Sequence, residues 1–126
     1  MPPRISPAQL ALRFGIEVTA FFGISAVTNA WWGRGAAIAT LVAAGLVWST
    51  FNVKDDPSRS GRAPVPVPGG VRLTLEVAVL CSGVAGLYLT HRYAIAITVG
   101  ALSVVHYALT WSRVTWLLHR EHTDRA

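Results

Sequence analysis

The sequence predicts an all-α fold, an integral membrane four-helix bundle built from two repeated helical hairpins. Of its 126 residues, 52% are hydrophobic and only 13% are charged, whereas a soluble domain has about 25% charged residues. Four apolar segments approach the roughly 20 residues that a helix needs to cross a membrane. The segments are joined by short turns and one long loop, so residues 1–126 form a single transmembrane domain.

Composition excludes several other classes. Disordered chains are poor in apolar residues and rich in charge, unlike this one. Cys81 is the only cysteine, so an internal disulfide is excluded. The formal net charge is +5, but no basic domain stands apart from the apolar segments, so we expect no nucleic-acid partner. The expected partner is the lipid bilayer.

The predicted spans are approximately residues 10–29, 36–53, 71–90 and 93–118. A turn at residues 32–35, which contains Gly33 and Gly35, joins the first two spans. A turn at residues 90–93, which lies next to Tyr88 and ends at Tyr93, joins the last two. The proline-rich stretch 54–70 cannot be helical, because proline lacks the backbone donor; we expect an extended cytoplasmic loop at the membrane surface. Residues 26–30 resemble a signal-peptide cleavage site, but Glu17 within the preceding apolar stretch argues against removal.

Positive charges are unequally divided between the two ends of the predicted helices. The N-terminus, the long loop and the C-terminal tail hold nine of them, namely Arg4, Arg13, Lys54, Arg59, Arg62, Arg72, Arg113, Arg120 and Arg125. The two short turns hold Arg34 and Arg92. By the positive-inside rule, both termini lie in the cytoplasm. The predicted location is the bacterial cytoplasmic (inner) membrane, with several passes.

The first and third segments contain the same charged pattern. The alignment pairs Arg13-Phe14-Gly15-Ile16-Glu17 with Arg72-Leu73-Thr74-Leu75-Glu76. A weaker similarity relates Trp48-Ser49 to Trp111-Ser112 in the second and fourth segments. Since both hairpins start in the cytoplasm, this predicts a parallel internal repeat about an axis along the membrane normal.

Depth along the helices places several polar and aromatic side chains in one layer near the cytoplasmic side. At about 1.5 Å per residue, Glu17 and Glu76 lie two turns inside the boundary, at a depth similar to Trp48 and Trp111, with Arg113 close by. Ionisable groups within a span generally face protein or a water-filled cavity. These five residues are therefore the predicted ligand-binding residues. Alternatively, the Arg–Glu pairs only anchor the helix ends by i, i+4 pairing.

If the protein is an enzyme, the candidate catalytic residues are Glu17, Glu76 and His106. Buried carboxylates can act as general acid and base, and His106, predicted near the midplane of the fourth helix, is the natural proton partner. The sequence contains no recognised metal or phosphate-binding motif, so we expect neither a metal nor a cofactor.

Two stripes of small residues could bring helices close together. They comprise Ala11, Gly15, Thr19 and Gly23 in the first helix, and Gly70, Thr74, Ala78 and Ser82 in the third. Either the stripes pack these two helices together, or the carboxylates face the bundle centre and the stripes face outward, where they could form a homodimer. We favour the second arrangement because it buries the charges better.

The chain resembles the YrdB-like family of small bacterial four-helix membrane proteins over roughly residues 10–118. The resemblance rests on the stretch 12–17, the Trp-containing end of the second helix, and the proline-rich loop leading into residues 71–76. It implies the architecture and a bacterial cytoplasmic membrane, and no particular reaction. The small multidrug resistance transporters are similar in length and in a Glu of the first helix, but they lack the second Glu, the strong charge bias and the long middle loop.

Three functions remain open at this stage. The first is binding or transport of a small polar, cationic or amphiphilic ligand through the Glu/Trp layer. The second is an intramembrane acid–base enzyme, an isomerase or cyclase acting on an apolar substrate. The third is an accessory subunit of a membrane complex.

Overall fold

The computed structural model describes residues 3–58 and 63–123, with side chains up to residue 119. Five helices dominate this part of the chain, which confirms the all-α prediction. They are α1 (Pro7–Trp32), α2 (Arg34–Thr50), α3 (Gly69–Leu89), α4 (Tyr93–Leu109) and α5 (Trp111–Thr123). The loop between α2 and α3 contributes a short parallel pair of strands, β1 (Phe51–Asn52) and β2 (Val65–Pro66).

Local signals set the ends of the first hairpin. Ser6 caps α1 by accepting a hydrogen bond from the backbone of Gln9, whose side chain bonds back to the backbone of Ser6, and proline at the first helical position fits the start of a helix. Gly33 separates α1 from α2 with φ 92°. This is a conformation that glycine adopts far more easily than other residues, so the turn needs only one residue.

The fourth helix was predicted to be continuous over residues 93–118. This prediction was wrong, because the segment is divided into two helices. α4 ends at Leu109 and α5 starts at Trp111, with a bend of 68° between them. Thr110 has a non-helical backbone, and its hydroxyl and its amide both donate to the carbonyl oxygen of His106. Beyond this bend, Arg113 and Val114 of α5 are buried in the interior.

α1 packs closely against α3 through glycine. A Cβ placed on Gly23 would lie 2.1 Å from the carbonyl oxygen of Gly83, and one on Gly86 would lie 2.2 Å from that of Gly23. Only glycine therefore permits this approach. The main cluster of buried apolar residues lies beside it, formed by Ile16, Ala20, Leu80, Leu87, Ala96 and Val99.

Five of the eight residues in the predicted small-residue stripes are exposed, while Thr19 and Gly70 are half-buried and Gly23 is buried. Ala11, Gly15, Thr74, Ala78 and Ser82 are exposed on the surface, as in the arrangement with inward-facing carboxylates. Gly23 is instead buried between α1 and α3, so its assignment to an outward stripe was wrong. A second copy of the chain cannot use Gly23 as a contact.

Two helices of the described residues, α1 and α3, are long and apolar enough to cross a membrane, and α4 with α5 makes a third candidate if the bent pair counts as one span. α2 is a shorter apolar helix of 17 residues. The outward faces carry large apolar side chains, including Phe22, Val42, Leu46, Ile97 and Val104. These features are consistent with a membrane protein.

Candidate functional site

Glu76 lies at the centre of the polar interior, with none of its surface exposed. Its Oε1 accepts hydrogen bonds from Arg13 (2.6 Å), Arg113 (2.7 Å) and Arg72 (3.2 Å). Its Oε2 accepts from the Tyr107 hydroxyl (2.9 Å) and again from Arg113 (3.1 Å). One carboxylate therefore connects α1, α3, α4 and α5.

Arg72 joins this centre to the C-terminal end of α2. Its Nη1 donates to the carbonyl oxygens of Trp48 (2.7 Å) and Phe51 (2.9 Å), which belong to the group of carbonyls that a helix end leaves without internal partners. The guanidinium carbon lies 4.4 Å from the centre of a Trp48 ring, within the range of a cation–π interaction.

Asp56 enters the same interior from the loop and is only 1% exposed. Arg113 donates two hydrogen bonds to the Asp56 carboxylate, from Nε to Oδ1 (2.8 Å) and from Nη2 to Oδ2 (2.5 Å). This is the bidentate geometry that suits a carboxylate. The backbone and hydroxyl of Ser58 also donate to Oδ1. Asp56 was expected only as part of a loop at the membrane surface, and its burial against Arg113 was not predicted.

Glu17 completes the set of charges. Its carboxylate lies 2.8 Å from Nε of Arg13, and its side chain is 15% exposed. Three guanidinium groups and three carboxylates thus share one interior, and their formal charges cancel. We call this set the ion cluster: Arg13, Glu17, Asp56, Arg72, Glu76 and Arg113.

The loop end of the ion cluster should be sensitive to acid. Burial opposes the charged form of Asp56, but the hydrogen bonds and charge of Arg113 outweigh it and hold the pKa of Asp56 below its ordinary value of 3.8. The resulting stabilisation is complete above pH 3.8 and is lost as pH falls through the lower folded-state pKa. We therefore expect Asp56→Asn to lower the free energy of unfolding at pH 7, and the difference from wild type to shrink at pH 3.

Chemical denaturation at the two pH values measures this difference. Asp55→Asn is the matched control, because Asp55 is an exposed neighbour. An Asp56→Asn deficit that is as large at pH 3 as at pH 7 would show that the ionised carboxylate is not the stabilising group.

The structure brings together most of the predicted ligand-binding residues, but not all of them. Glu17, Glu76 and Arg113 belong to the ion cluster, and Trp48 is buried beneath Arg72. Trp111 is 60% exposed on the outer surface. The predicted layer with two indoles was therefore wrong, because α5 leaves the direction of α4 and carries Trp111 outward.

His106 lies in the last turn of α4, and not near a helix midplane as predicted. It is 2% exposed, and neither ring nitrogen has a hydrogen-bond partner. Its ring packs edge-on against Tyr107, with 5.4 Å between the ring centres. Two of the three candidate catalytic residues, Glu17 and His106, line one small cavity that is described below.

A large apolar groove runs along the outside of α3 and α4. Its volume is about 930 Å³. Apolar residues line its length, and Tyr107 and Trp111 lie at the end nearest the ion cluster; the lining includes Val77, Cys81, Val84 and Val104. Tyr107 thus touches the groove on one side and Glu76 on the other.

A metal or cofactor finds few ligands in this interior. Among the described side chains, those of residues 3–58 and 63–119, no group of three His, Cys, Asp or Glu is arranged to hold a metal ion. The buried carboxylates that lie closest together already accept hydrogen bonds from arginine.

Comparison with known proteins agrees with the resemblance described above. Residues 11–104 match the family described as "Protein of unknown function (DUF2568)". The chain is also 30% identical to "Uncharacterized protein YrdB" of Bacillus subtilis (strain 168) over 121 residues, which cover 93% of this chain and 98% of the relative. No solved structure matches the chain. The match extends over nearly the whole of both proteins, and the chain therefore belongs to the YrdB-like family.

Proposed function

We propose that the chain is a multi-pass protein of the bacterial cytoplasmic membrane, with α1 to α4 crossing the bilayer and both termini in the cytoplasm. Three of the nine positive charges assigned to that side are neutralised within the ion cluster. The remaining six are Arg4, Lys54, Arg59, Arg62, Arg120 and Arg125, against Arg34 and Arg92 in the two short turns. The excess of positive charge on the proposed cytoplasmic side, on which the positive-inside rule depends, is thus retained.

We further propose that the protein binds an amphiphile, with one hydrocarbon chain in the groove between α3 and α4. The observation that carries this proposal is the groove itself, with its volume of about 930 Å³ and its apolar lining. The lining runs from Val77 to Leu89 on α3, a rise of about 18 Å at ~1.5 Å per residue. This slightly exceeds half of the ~30 Å hydrocarbon core, so the groove suits a chain from one leaflet.

The surroundings of the carboxylates favour an amphiphile over a small cation. Glu76 already accepts five hydrogen bonds, four of them from arginine. A cation would have to displace a guanidinium group and would meet the other two nearby. A hydrocarbon chain needs no such exchange, and its polar end would lie beside Tyr107 and Trp111, the kind of aromatic residues that favour a membrane interface.

Protection of Cys81 from alkylation tests this function. Cys81 is the only cysteine, is exposed and lines the groove. In detergent micelles, added phospholipid is expected to slow alkylation of Cys81 by a maleimide several-fold and to reach saturation. Choline chloride, a cation without a hydrocarbon chain, should give no protection.

Two variants make this test specific. Val42 is exposed on α2 and lies outside the groove, so the double variant Cys81→Ala, Val42→Cys should show little protection by phospholipid. Val104→Trp fills the groove, so the rate of Cys81 alkylation should no longer depend on added phospholipid. Equal protection at both cysteine positions, or protection by choline alone, would overturn the proposal.

A further inference from the structure

A small cavity lies beside the ion cluster, and His106 forms part of its wall. The cavity has a volume of about 10 Å³ and is also lined by Arg13, Glu17, Trp48 and Tyr107. A water molecule needs about 10–15 Å³ of such volume. His106 is 2% exposed with both ring nitrogens unpartnered, and in a neutral imidazole one nitrogen is a donor and the other an acceptor. A water in the cavity can therefore form a hydrogen bond with one of these nitrogens and donate another to the Glu17 carboxylate.

A second, open cleft also contacts the Arg13–Glu17 pair. It has a volume of about 270 Å³ and is lined by Leu10, Phe14, Pro57 and Ser58, together with Arg13 and Glu17 themselves. Glu17 and Arg13 therefore line both the open cleft and the small cavity. The Glu17 side chain, at 15% exposure, has access to solvent that His106 lacks.

We propose that the small cavity binds one water molecule and that this water relays protons between Glu17 and His106. Glu17 takes a proton from solvent in the open cleft. The resulting carboxylic acid gives its proton to the water, which gives one of its own to the free nitrogen of His106. The products are a carboxylate, a water and an imidazolium, and the reverse transfer takes a proton from the same nitrogen through the water back to Glu17. This site is independent of the groove, and failure of either proposal leaves the other standing.

The charged groups around His106 come from several helices. Arg13 and Glu17 reach the cavity from α1, while Tyr107 lies beside His106 on α4. Glu76 of α3 and Arg113 of α5 also interact electrostatically with His106. Glu17 is the group in this set that combines a titratable carboxylate with contact to both the cavity and the open cleft.

Exchange of the His106 ring proton with solvent tests the relay. The full chain, labelled with ¹⁵N-histidine, is studied by NMR in detergent micelles, and the His106 signal is assigned by its loss in His106→Gln. We expect a nuclear Overhauser contact between water and the ring. Glu17→Gln keeps the side-chain size and the cavity but cannot carry the proton, and it should slow exchange at least about tenfold.

The conservative variant and a matched control complete the experiment. Glu17→Asp retains a carboxylate and should restore part of the exchange rate, which a purely structural role of Glu17 would not do. Asp55→Asn removes an exposed carboxylate that lines neither cavity and should leave exchange unchanged. Unchanged exchange in Glu17→Gln would overturn the relay, and absence of the water contact in the wild type would overturn the bound water.

Discussion

Glu76→Gln is expected to lower the free energy of unfolding by about 3–5 kcal/mol, the range for removing one partner from a buried ion pair. Glu76 accepts bonds from Arg13, Arg72 and Arg113, and the amide would leave the ion cluster with one uncompensated positive charge. Denaturation by SDS from mild detergent micelles, followed by circular dichroism, measures the loss.

A less buried carboxylate of the same cluster is the matched control. Glu17 is 15% exposed and pairs with Arg13 at the edge of the cluster, so Glu17→Gln should cost only about 1–2 kcal/mol. The double variant Arg72→Met, Glu76→Met restores the charge balance and should lose less than its two single variants combined. An effect of Glu76→Gln no larger than that of Glu17→Gln would contradict the central position of Glu76.

Replacing glycine by alanine at the contact of α1 with α3 should lower the free energy of unfolding by about 1–3 kcal/mol or more, as overpacking does. In Gly86→Ala the added Cβ would lie 2.2 Å from the carbonyl oxygen of Gly23. That oxygen belongs to the backbone and cannot rotate away, so the two helices must separate. The same denaturation assay measures the effect.

Gly45→Ala on α2 should have the opposite sign. An added Cβ there meets no atom within 4 Å, and alanine within a helix is favoured over glycine by about 0.5–1 kcal/mol. The prediction is therefore a gain at Gly45 and a loss at Gly86. Two losses of similar size would show that the close approach of α1 to α3 is not what requires glycine.

Local patterns were sufficient to predict the first three helices and the two short turns, but not the break that divides the fourth predicted helix. Apolar runs of suitable length and the single glycine of the first turn act over neighbouring residues, so the pattern expresses them directly. Depth arithmetic also placed Glu17, Glu76 and Arg113 at one level, where the structure brings them together. Depth alone does not give direction around the helix axis, however, and Trp111 was therefore assigned to the wrong side.

The break at Thr110 and the return of Asp56 depend on distant contacts. No proline or glycine marks the break, and the anchoring of α5 comes from bonds between Arg113 and two carboxylates far away in sequence. One signal was available in the sequence. The predicted layer and its flanks contained three arginines and two glutamates, and a buried set with an excess positive charge calls for another carboxylate.

The members of the ion cluster come from separate stretches of the chain, and translation adds them in a fixed order from the N-terminus. Arg13 and Glu17 come first and cancel; the later members follow as Asp56, Arg72, Glu76 and Arg113. Two acidic residues, Glu17 and Asp56, follow each other in this order, but Arg13 precedes them and Arg72 follows. The running sum over the members already made therefore never exceeds one charge of either sign. Uncompensated charge within a bilayer is costly. In the proposed membrane protein, synthesis from the N-terminus therefore adds the six charged groups without ever presenting the bilayer with two unbalanced ones.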